Sequence, residues 1–326
     1  MADRDDRTLL LSRLSLRQLQ ILSTVAEHGS ILHATRSMNM TQPAVSRAVM
    51  EIERIVGQPM FVRSPRGVSP TPAGAVFVSH ARAALSSMRV AAQEIDDLQR
   101  GHAGRLTIGT LPNGAGGPLP QALIEARRER PGLMVTVVEG LYQQMAASLR
   151  SGDLDFVIGR LRPADGGDGL TTQPLYRQRW GVFARAKHPA RRTRAAALAD
   201  LLDTPWILPA ASAPVRPMIE SVFYRRGLPL PRDRMEISAL GIARTLLLDC
   251  DAVMFLPEGT FRREEETGAL AELSLGIDEV VEEVGLFWRE GAQRRALELY
   301  FTRLLETTCG KMGLAPSDMP VRHIST

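Results

Sequence analysis

Residues 30–57, SILHATRSMNMTQPAVSRAVMEIERIVG, decide the fold of the N-terminal region. Ser30 is suited to cap a short helix. Thr41 is suited to cap a longer one with Pro43 in its first turn, where the missing N–H costs nothing. The longer helix has apolar residues at helical spacing, and these predict its buried face: Val45, Val49, Ile52 and Val56. Two short helices joined by a turn of about three residues are typical of a helix-turn-helix.

The flanking residues extend this unit on both sides. Apolar residues at helical spacing over 16–25 predict a preceding helix, which Gly29 ends. Residues 60–69, MFVRSPRGVS, predict a β-hairpin, because two short strand-like runs flank a turn that contains proline and glycine. The sequence therefore predicts a winged helix-turn-helix domain over residues 13–73.

The outer face of the third predicted helix carries side chains suited to reading DNA, since the first turns of such a helix meet base edges. Glutamine can bond adenine, arginine can bond guanine, and proline and alanine can contact a thymine methyl group. Arginines in the hairpin suit phosphates, which fix position. The predicted DNA-binding residues are Thr41, Gln42, Pro43, Ala44, Ser46, Arg47, Arg63 and Arg66. From the pattern alone, the alternative is a three-helix bundle with a solvated polar face.

The distribution of charge favours the DNA-binding interpretation. Residues 13–73 contain seven arginines and three glutamates, so their excess of positive charge equals the formal net charge of +4 of the whole chain. The chain has no apolar run near the roughly 18 residues that a membrane span needs and no signal-peptide pattern at its start. Its two cysteines, Cys250 and Cys309, have no CxxC spacing. These features predict a cytoplasmic protein with plain thiols.

Residues 16–74 resemble the DNA-binding domain of LysR-type transcriptional regulators. The resemblance centres on Thr41-Gln42-Pro43-Ala44-Val45-Ser46, and the second helix departs from it mildly, with Thr35 where an alanine is usual. The other matching residues are Leu19, Val25, Ala34, Glu53, Gly57, Phe61, Arg63, Arg66, Gly67, Val68, Thr71 and Gly74. The resemblance implies a transcription regulator that binds double-stranded promoter DNA, with RNA polymerase as a further candidate partner.

Residues 74–101 predict one long linker helix, because they contain no proline and no glycine between their two ends. Apolar residues recur in it at alternating steps of four and three: Phe77, Ala81, Ala84, Met88, Ala91, Ile95 and Leu98. Such a heptad seam can be buried between two helices. Packing of the stripe on its own domain is the alternative. The LysR resemblance favours a homodimer through this helix and implies a homotetramer.

The remaining residues, 102–308, predict an effector-binding domain, since strand-like runs alternate with helical ones as in a largely parallel sheet. The region resembles the type 2 periplasmic-binding-protein fold, which is also the effector domain of LysR-type regulators. We expect lobe I over about 105–160 and 257–306 and lobe II over about 161–256. The predicted fold class is thus multidomain, α followed by α/β.

Ligands of open parallel sheets bind beyond the carboxyl ends of strands, near helix N-termini. The predicted effector-binding residues at such positions are Thr110, Leu111, Tyr142, Arg160, Ser212, Arg216 and Ser238. Arginines favour a carboxylate, whereas Tyr142, Trp180 and Trp206 could stack on a sugar or an aromatic ring. Residues 107–112 and 150–161 resemble a branch of the family that contains the regulators of a galactose-binding protein and of the protocatechuate pathway. A catabolic carboxylate and a sugar both remain candidate effectors.

The sequence gives little support to the hypothesis that the protein is an enzyme. Residues 114–117, GAGG, follow a strand as in a dinucleotide fingerprint, but its third glycine would fall at Leu119. The six histidines lack metal-ligand spacing, and no Gly-x-Ser-x-Gly elbow occurs. We therefore expect no enzyme activity, no cofactor and no metal. The remaining alternative is an architectural DNA-binding protein that senses no small molecule. This hypothesis would leave the cleft-bearing domain of about two hundred residues without a role.

Overall fold

The computed structural model describes residues 13–65, 67–100, 103–112, 114, 116–161, 169–192, 197–277 and 280–317. Its N-terminal part is a three-helix unit followed by an antiparallel hairpin, as predicted. In chain order the elements are α1 (Leu16–His28), α2 (Ile31–Ser37), α3 (Gln42–Val56), β1 (Phe61–Ser64) and β2 (Gly67–Pro70).

Local capping sets the ends of these helices. The Ser15 hydroxyl accepts a hydrogen bond from the Gln18 N–H, and Ser30 caps α2 in the same way. Gly29 and Gly57 end α1 and α3 with backbone in the left-handed region, which glycine adopts without a steric penalty. Thr41 occupies the N-cap position of α3 with extended backbone, although its side chain makes no capping hydrogen bond.

The core of the N-terminal unit lies between the three helices. Val45, Val49 and Ile52 are buried on α3, as predicted, but the fourth buried residue is Ile55 and Val56 is only half-buried. The sequence prediction therefore placed the last buried residue of α3 one position too late, at Val56 and not at Ile55. The hairpin is tied to this core because the Val68 N–H donates to the Gly29 carbonyl at 2.7 Å.

The long linker helix is α4 (Pro72–Arg100). Thr71 starts it, since its hydroxyl donates to the Pro59 carbonyl and accepts from the Gly74 N–H at 2.9 Å. Its middle contacts the C-terminal domain. There Ser86 donates to the Gly152 carbonyl, and Arg89 pairs with Asp153 at 2.7 Å.

The rest of the chain folds into two α/β lobes. In chain order their elements are β3 (Arg105–Thr110), α5 (Leu119–Glu129), β4 (Met134–Glu139), α6 (Tyr142–Ser151), β5 (Phe156–Leu161), β6 (Leu170–Arg185), β7 (Trp206–Leu208), α7 (Arg216–Arg225), β8 (Arg234–Glu236), α8 (Leu240–Asp249), β9 (Val253–Pro257), α9 (Arg262–Glu266), β10 (Leu270–Glu272), β11 (Val281–Arg289) and α10 (Ala296–Lys311). The strand order is β4-β3-β5-β11-β6-β9-β7-β8, with β10 on β6.

Strand β6 joins the lobes, because residues 170–179 pair with β11 and residues 180–183 pair with β9. Strand β3 is parallel to β4 and β5 in lobe I, and β7 is parallel to β8 and β9 in lobe II. Each lobe has its own buried core, lobe I around Phe156 and Phe301 and lobe II around Trp206 and Phe223.

The chain passes from lobe II back to lobe I later than the sequence predicted, which was near residue 257. Phe261 and Leu270 pack in lobe II, and so do Leu273, Ile277 and Val280. Strand β10 pairs with the lobe II end of β6 and thereby keeps this segment there. The chain crosses back only at β11, a position that depends on strand pairing between residues far apart in sequence.

The fold class predicted from sequence is confirmed: a winged helix-turn-helix, a long helix and a two-lobed α/β domain. Within the described ranges, no helix combines the length and apolar character needed to cross a membrane.

Candidate DNA-reading face and interlobe cavity

The first turns of α3 present an open face. Thr41, Gln42, Pro43 and Arg47 are exposed, while the smaller Ala44 and Ser46 are half-buried beside them. Among the described residues, Arg47 makes no hydrogen bond or ion pair, so its guanidinium can reach an outside partner. By contrast, Arg54 on the same helix is held by Glu51 at 2.6 Å.

The hairpin offers a second basic contact. Arg63 on β1 is exposed and pairs with no acidic side chain within the described part of the chain. Arg66 lies outside the described residues. The predicted DNA-binding residues that the structure describes therefore lie at the start of α3 and on strand β1 of the hairpin.

The heptad seam of α4 divides into two parts. Phe77 packs against the buried cluster of the N-terminal unit that contains Leu22, Ile52 and Met60. Ala81 is buried. Beyond them the seam is open: Ala84 and Ala91 are exposed, and Met88 and Ile95 are 54% and 58% exposed. The side chain of Leu98 lies outside the described residues. The exposure of these seam residues in the described part of the chain favours their burial against the same helix of a second copy.

A cavity of about 390 Å³ lies between the lobes. We call it the interlobe cavity. Lobe I contributes the turn after β3, the start of α6, β5 and β11. Lobe II contributes the turns before α7 and α8 and strand β9. Five of the predicted effector-binding residues line it: Leu111, Tyr142, Arg160, Ser212 and Ser238.

Thr110 and Arg216 are not among the lining residues. Thr110 is buried, and its hydroxyl donates to the Leu111 carbonyl at 2.9 Å. The Arg216 side chain is 4% exposed and bonds Glu220 at 2.8 Å, Glu236 at 3.1 Å and the Pro209 carbonyl at 2.6 Å. The Arg216 side chain thus holds the turn that carries Ser212.

Arg216→Gln should lower the free energy of unfolding by about 2 kcal/mol, because it leaves two half-exposed carboxylates without their partner. Urea denaturation measures the loss. Arg127→Gln, at an exposed position of α5, is the matched control and should change nothing. Unchanged stability together with weaker ligand binding would instead make Arg216 a ligand-contacting residue.

The two tryptophans that the sequence offered as stacking residues, Trp180 and Trp206, have different surroundings. Trp206 is fully buried, donates from Nε1 to the Leu201 carbonyl at 2.7 Å and meets Phe223 edge-on, so it belongs to the core of lobe II. Trp180 lines the cavity and packs against Phe255. Only Trp180 is placed to contact a ligand in the cavity.

Glu282 on β11 is the polar centre of the cavity wall, and sequence reasoning missed it. One carboxylate oxygen accepts from Arg160 at 2.7 Å and the other from the Trp180 Nε1 at 2.9 Å. The strand register explains this meeting. Val284 lies opposite Arg160 on β5, and Gln178 lies opposite Glu282 on β6. Glu282 is therefore a diagonal, same-face neighbour of both partners.

The N-termini of α6, α7 and α8 all reach the cavity, since Leu141, Val215 and Leu240 line it. Leu141, Val215 and Ala239 are the N-cap residues, and none of their side chains bonds the first turn of its helix. At α6 the Gln144 side chain accepts a hydrogen bond from the Leu141 N–H at 3.2 Å. Helix N-termini favour negative charge. Within the described ranges, the hydroxyls of Ser212 and Ser238 make no hydrogen bond and are available to a ligand.

A resident metal has no support in the described residues, which contain no group of three or more His, Cys, Asp or Glu side chains suited to hold one. Tyr176 on β6 is fully buried in the core of lobe I. Burial raises the pKa of its phenol well above the usual value, so the hydroxyl stays neutral.

Two family models match the chain: the LysR substrate binding domain over residues 99–309 and the bacterial regulatory helix-turn-helix protein, lysR family, over residues 16–75. The transcriptional regulator GalR of Pseudomonas putida is 32% identical over 275 residues, which are 84% of this chain and 69% of GalR. GbpR of Azospirillum brasilense is 30% identical over 280 residues, 86% of this chain and 82% of GbpR. The crystal structure of full-length CbnR complexed with its target DNA has a TM-score of 0.56 at 18% identity, covering 90% of this chain and 100% of CbnR, which is a likeness of fold.

Proposed function

The chain belongs to the LysR family of bacterial transcriptional regulators, and from this premise we propose how it reads DNA and how it senses an effector. Members of the family bind promoter DNA and small-molecule effectors, and they are regulators, not enzymes. In our proposal the start of α3 enters the major groove, the hairpin contacts phosphates, and a ligand in the interlobe cavity alters the outcome. The site of action is the cytoplasm, where promoter DNA lies.

The observation that carries the DNA-reading proposal is the exposed start of α3, with Gln42 and Arg47 open to an outside partner. These two side chains have the donors and acceptors to read adenine and guanine edges. Arg63, set apart on the hairpin, suits a phosphate, which fixes the position of the helix in the groove.

Arg47→Ala should relax sequence preference and cost about 1–3 kcal/mol on the preferred site, whereas Arg63→Ala should weaken all sequences similarly and reduce the salt slope by about 1. Binding titrations on preferred and scrambled duplexes at several salt concentrations measure both effects. Arg54→Ala is the matched control on α3, because Glu51 already holds that guanidinium. The reverse pattern for Arg47 and Arg63 would mean that their roles are exchanged.

Dimerisation through the open part of the α4 seam completes the DNA-binding unit in this proposal. Two paired helices place two copies of α3 on one face of the duplex, at half-sites one or more helical turns apart. The target is then pseudo-palindromic. Further pairing into a tetramer and contact with RNA polymerase are parts of the same proposal.

Effector control rests on the interlobe cavity, whose walls come from both lobes. A ligand that contacts both lobes binds one relative arrangement better and shifts the population toward it. An organic acid and a sugar are the two effector classes considered. Nuclease footprints with and without ligand test the proposal against a purely architectural role. A footprint that changes on ligand addition supports sensing, and identical footprints with a ligand shown to occupy the cavity contradict it.

A further inference from the structure

We infer that the interlobe cavity selects an organic acid with a single carboxylate and an apolar body, with Arg160 as its anchor and Glu282 as the residue that excludes a second carboxylate. The inference rests on the proposed effector function and narrows it to one of the two ligand classes. It follows from the donors left on Arg160, from the helix N-termini at the cavity, from the charge of Glu282 and from the composition of the walls.

Arg160 has the capacity to hold a carboxylate. It lies on β5 with its side chain 20% exposed, and Glu282 engages only its Nη1 atom. A guanidinium presents five N–H donors, and the remaining ones have no protein partner among the described residues. Two of them can meet a carboxylate in a bidentate pair, while Glu282 keeps the guanidinium in place.

The surroundings of Arg160 reinforce this preference. Three helix N-termini, those of α6, α7 and α8, meet at the same cavity, and in each the N-cap side chain leaves the first-turn N–H groups unbonded. Their partial positive charges favour an anion and add backbone donors to those of Arg160. A neutral ligand can accept hydrogen bonds from these donors, but it gains less than an anion does from their positive charge.

Glu282 limits the number of negative charges. Its side chain is 5% exposed, so water screens its charge poorly. Among the described residues that line the cavity, Arg160 and Glu282 are the charged ones. A second carboxylate within the cavity would meet the negative charge of Glu282, and the described lining residues offer no second arginine to pair with that carboxylate. Electrostatic repulsion by Glu282 would therefore weaken the binding of ligands with two carboxylates, and specific binding sites commonly use repulsion in this way.

The walls decide between an acid and a sugar. They are mostly apolar: Leu111, Leu141, Tyr142, Trp180, Val215, Ile237, Leu240, Met254, Phe255 and Leu256. Besides the charged pair, the polar groups of the described lining are the hydroxyls of Tyr142, Ser212, Ser238 and Thr260 and the Trp180 indole N–H. The Thr260 hydroxyl already donates to the Pro257 carbonyl, and the Trp180 N–H donates to Glu282. A sugar would bury several hydroxyls against this surface, each at a cost when unpaired. An apolar body fits it.

The test uses the full-length protein and a panel of probes of matched size, with binding measured by calorimetry. Phenylacetate, phenylpropionate and naphthoate are compared with their amides, with phenylenediacetate as the dianion and with galactose as the sugar. We expect at least one acid to bind about 10- to 100-fold more tightly than its amide. We also expect it to bind more tightly than phenylenediacetate and galactose. Failure of every acid to exceed its amide would overturn the inference.

Variants assign the roles. Arg160→Gln should remove the preference for acid over amide, and Arg127→Gln on the exposed face of α5 should keep it. Glu282→Gln, which preserves an acceptor for Trp180, should reduce the preference for one carboxylate over two by about tenfold. Because this is a ratio of affinities in one variant, a general loss of folding leaves it unchanged. An unaltered ratio would contradict the role of Glu282.

Failure of the inference and failure of the proposed function give different results. If galactose binds, and Ala213→Trp, which fills the cavity, abolishes that binding, the sensing proposal stands and the acid class is wrong. If an acid binds as expected but leaves the DNA footprint unchanged, the ligand class stands and effector control fails.

Discussion

Gly74→Ala is expected to abolish DNA binding by disrupting the joint between the hairpin and α4. A Cβ atom at this position would lie 1.9 Å from the Met60 carbonyl oxygen and 2.8 Å from its carbon. Both are backbone atoms, and Met60 is fully buried, so neither side can move away cheaply. We expect a loss of about 3 kcal/mol or more in the stability of the N-terminal domain, as for severe overpacking.

Circular dichroism melts and gel-shift titrations measure the two consequences. Gly310→Ala is the matched control, because it lies in a helix, α10, and a Cβ there meets nothing within 4 Å. That variant should be neutral or stabilised by about 0.5–1 kcal/mol. Normal melting and normal DNA affinity of Gly74→Ala would show that the close approach of α4 to Met60 is wrong.

The second large effect is expected from the α4 seam. The double variant Met88→Glu with Ile95→Glu places charges on a stripe that two helices would bury face to face. We expect a monomer. Its affinity for a two-half-site duplex should fall about 100-fold or more, because binding of the second half-site is no longer intramolecular.

Light scattering after gel filtration gives the oligomeric state, and titration of single and paired half-sites gives the affinities. The matched control is Met88→Leu with Ile95→Leu, which keeps the seam apolar and should keep the dimer. Single half-site affinity should be similar in all three proteins, since α3 is untouched. A dimeric glutamate variant would place the principal dimer contact on another surface.

The contacts of α4 with lobe I connect the linker helix physically to the interlobe cavity. Ser86 and Arg89 hold residues 152 and 153 at the end of α6, whose first residues line the interlobe cavity. A ligand at Tyr142 and the linker helix thus contact opposite ends of one rigid element. Variants of Arg89 would therefore be expected to change ligand response more than half-site affinity.

The sequence by itself determined the N-terminal unit and the seam. Caps such as Ser30, the terminators Gly29 and Gly57, and the apolar spacing on α3 act within a few residues of chain, so their consequences can be worked out locally. The same holds for α4, whose length and stripe follow from spacing alone. The prediction of the buried face of α3 named Val56 where Ile55 is buried. These residues lie four and three positions after Ile52, and both spacings fit one face of a helix.

The cavity was only partly accessible to such reasoning. Strand-to-helix turns pointed to Leu111, Tyr142, Ser212 and Ser238, because the position of a turn at the end of a parallel strand follows from the order of elements. Arg216 stands at such a turn too, yet its guanidinium points into a cluster with Glu220 and Glu236. The direction of a long side chain depends on which partners the fold brings close.

Only the tertiary structure decided the polar centre of the cavity. Glu282 meets Arg160 across 122 positions and Trp180 across 102 positions of chain. The meeting depends on the antiparallel register of β11 with β5 and β6, where a slip of one residue would turn Glu282 to the opposite face. The same pairing places the return crossing at β11. Register is set by the packing of both lobes together, which no local stretch of the sequence contains.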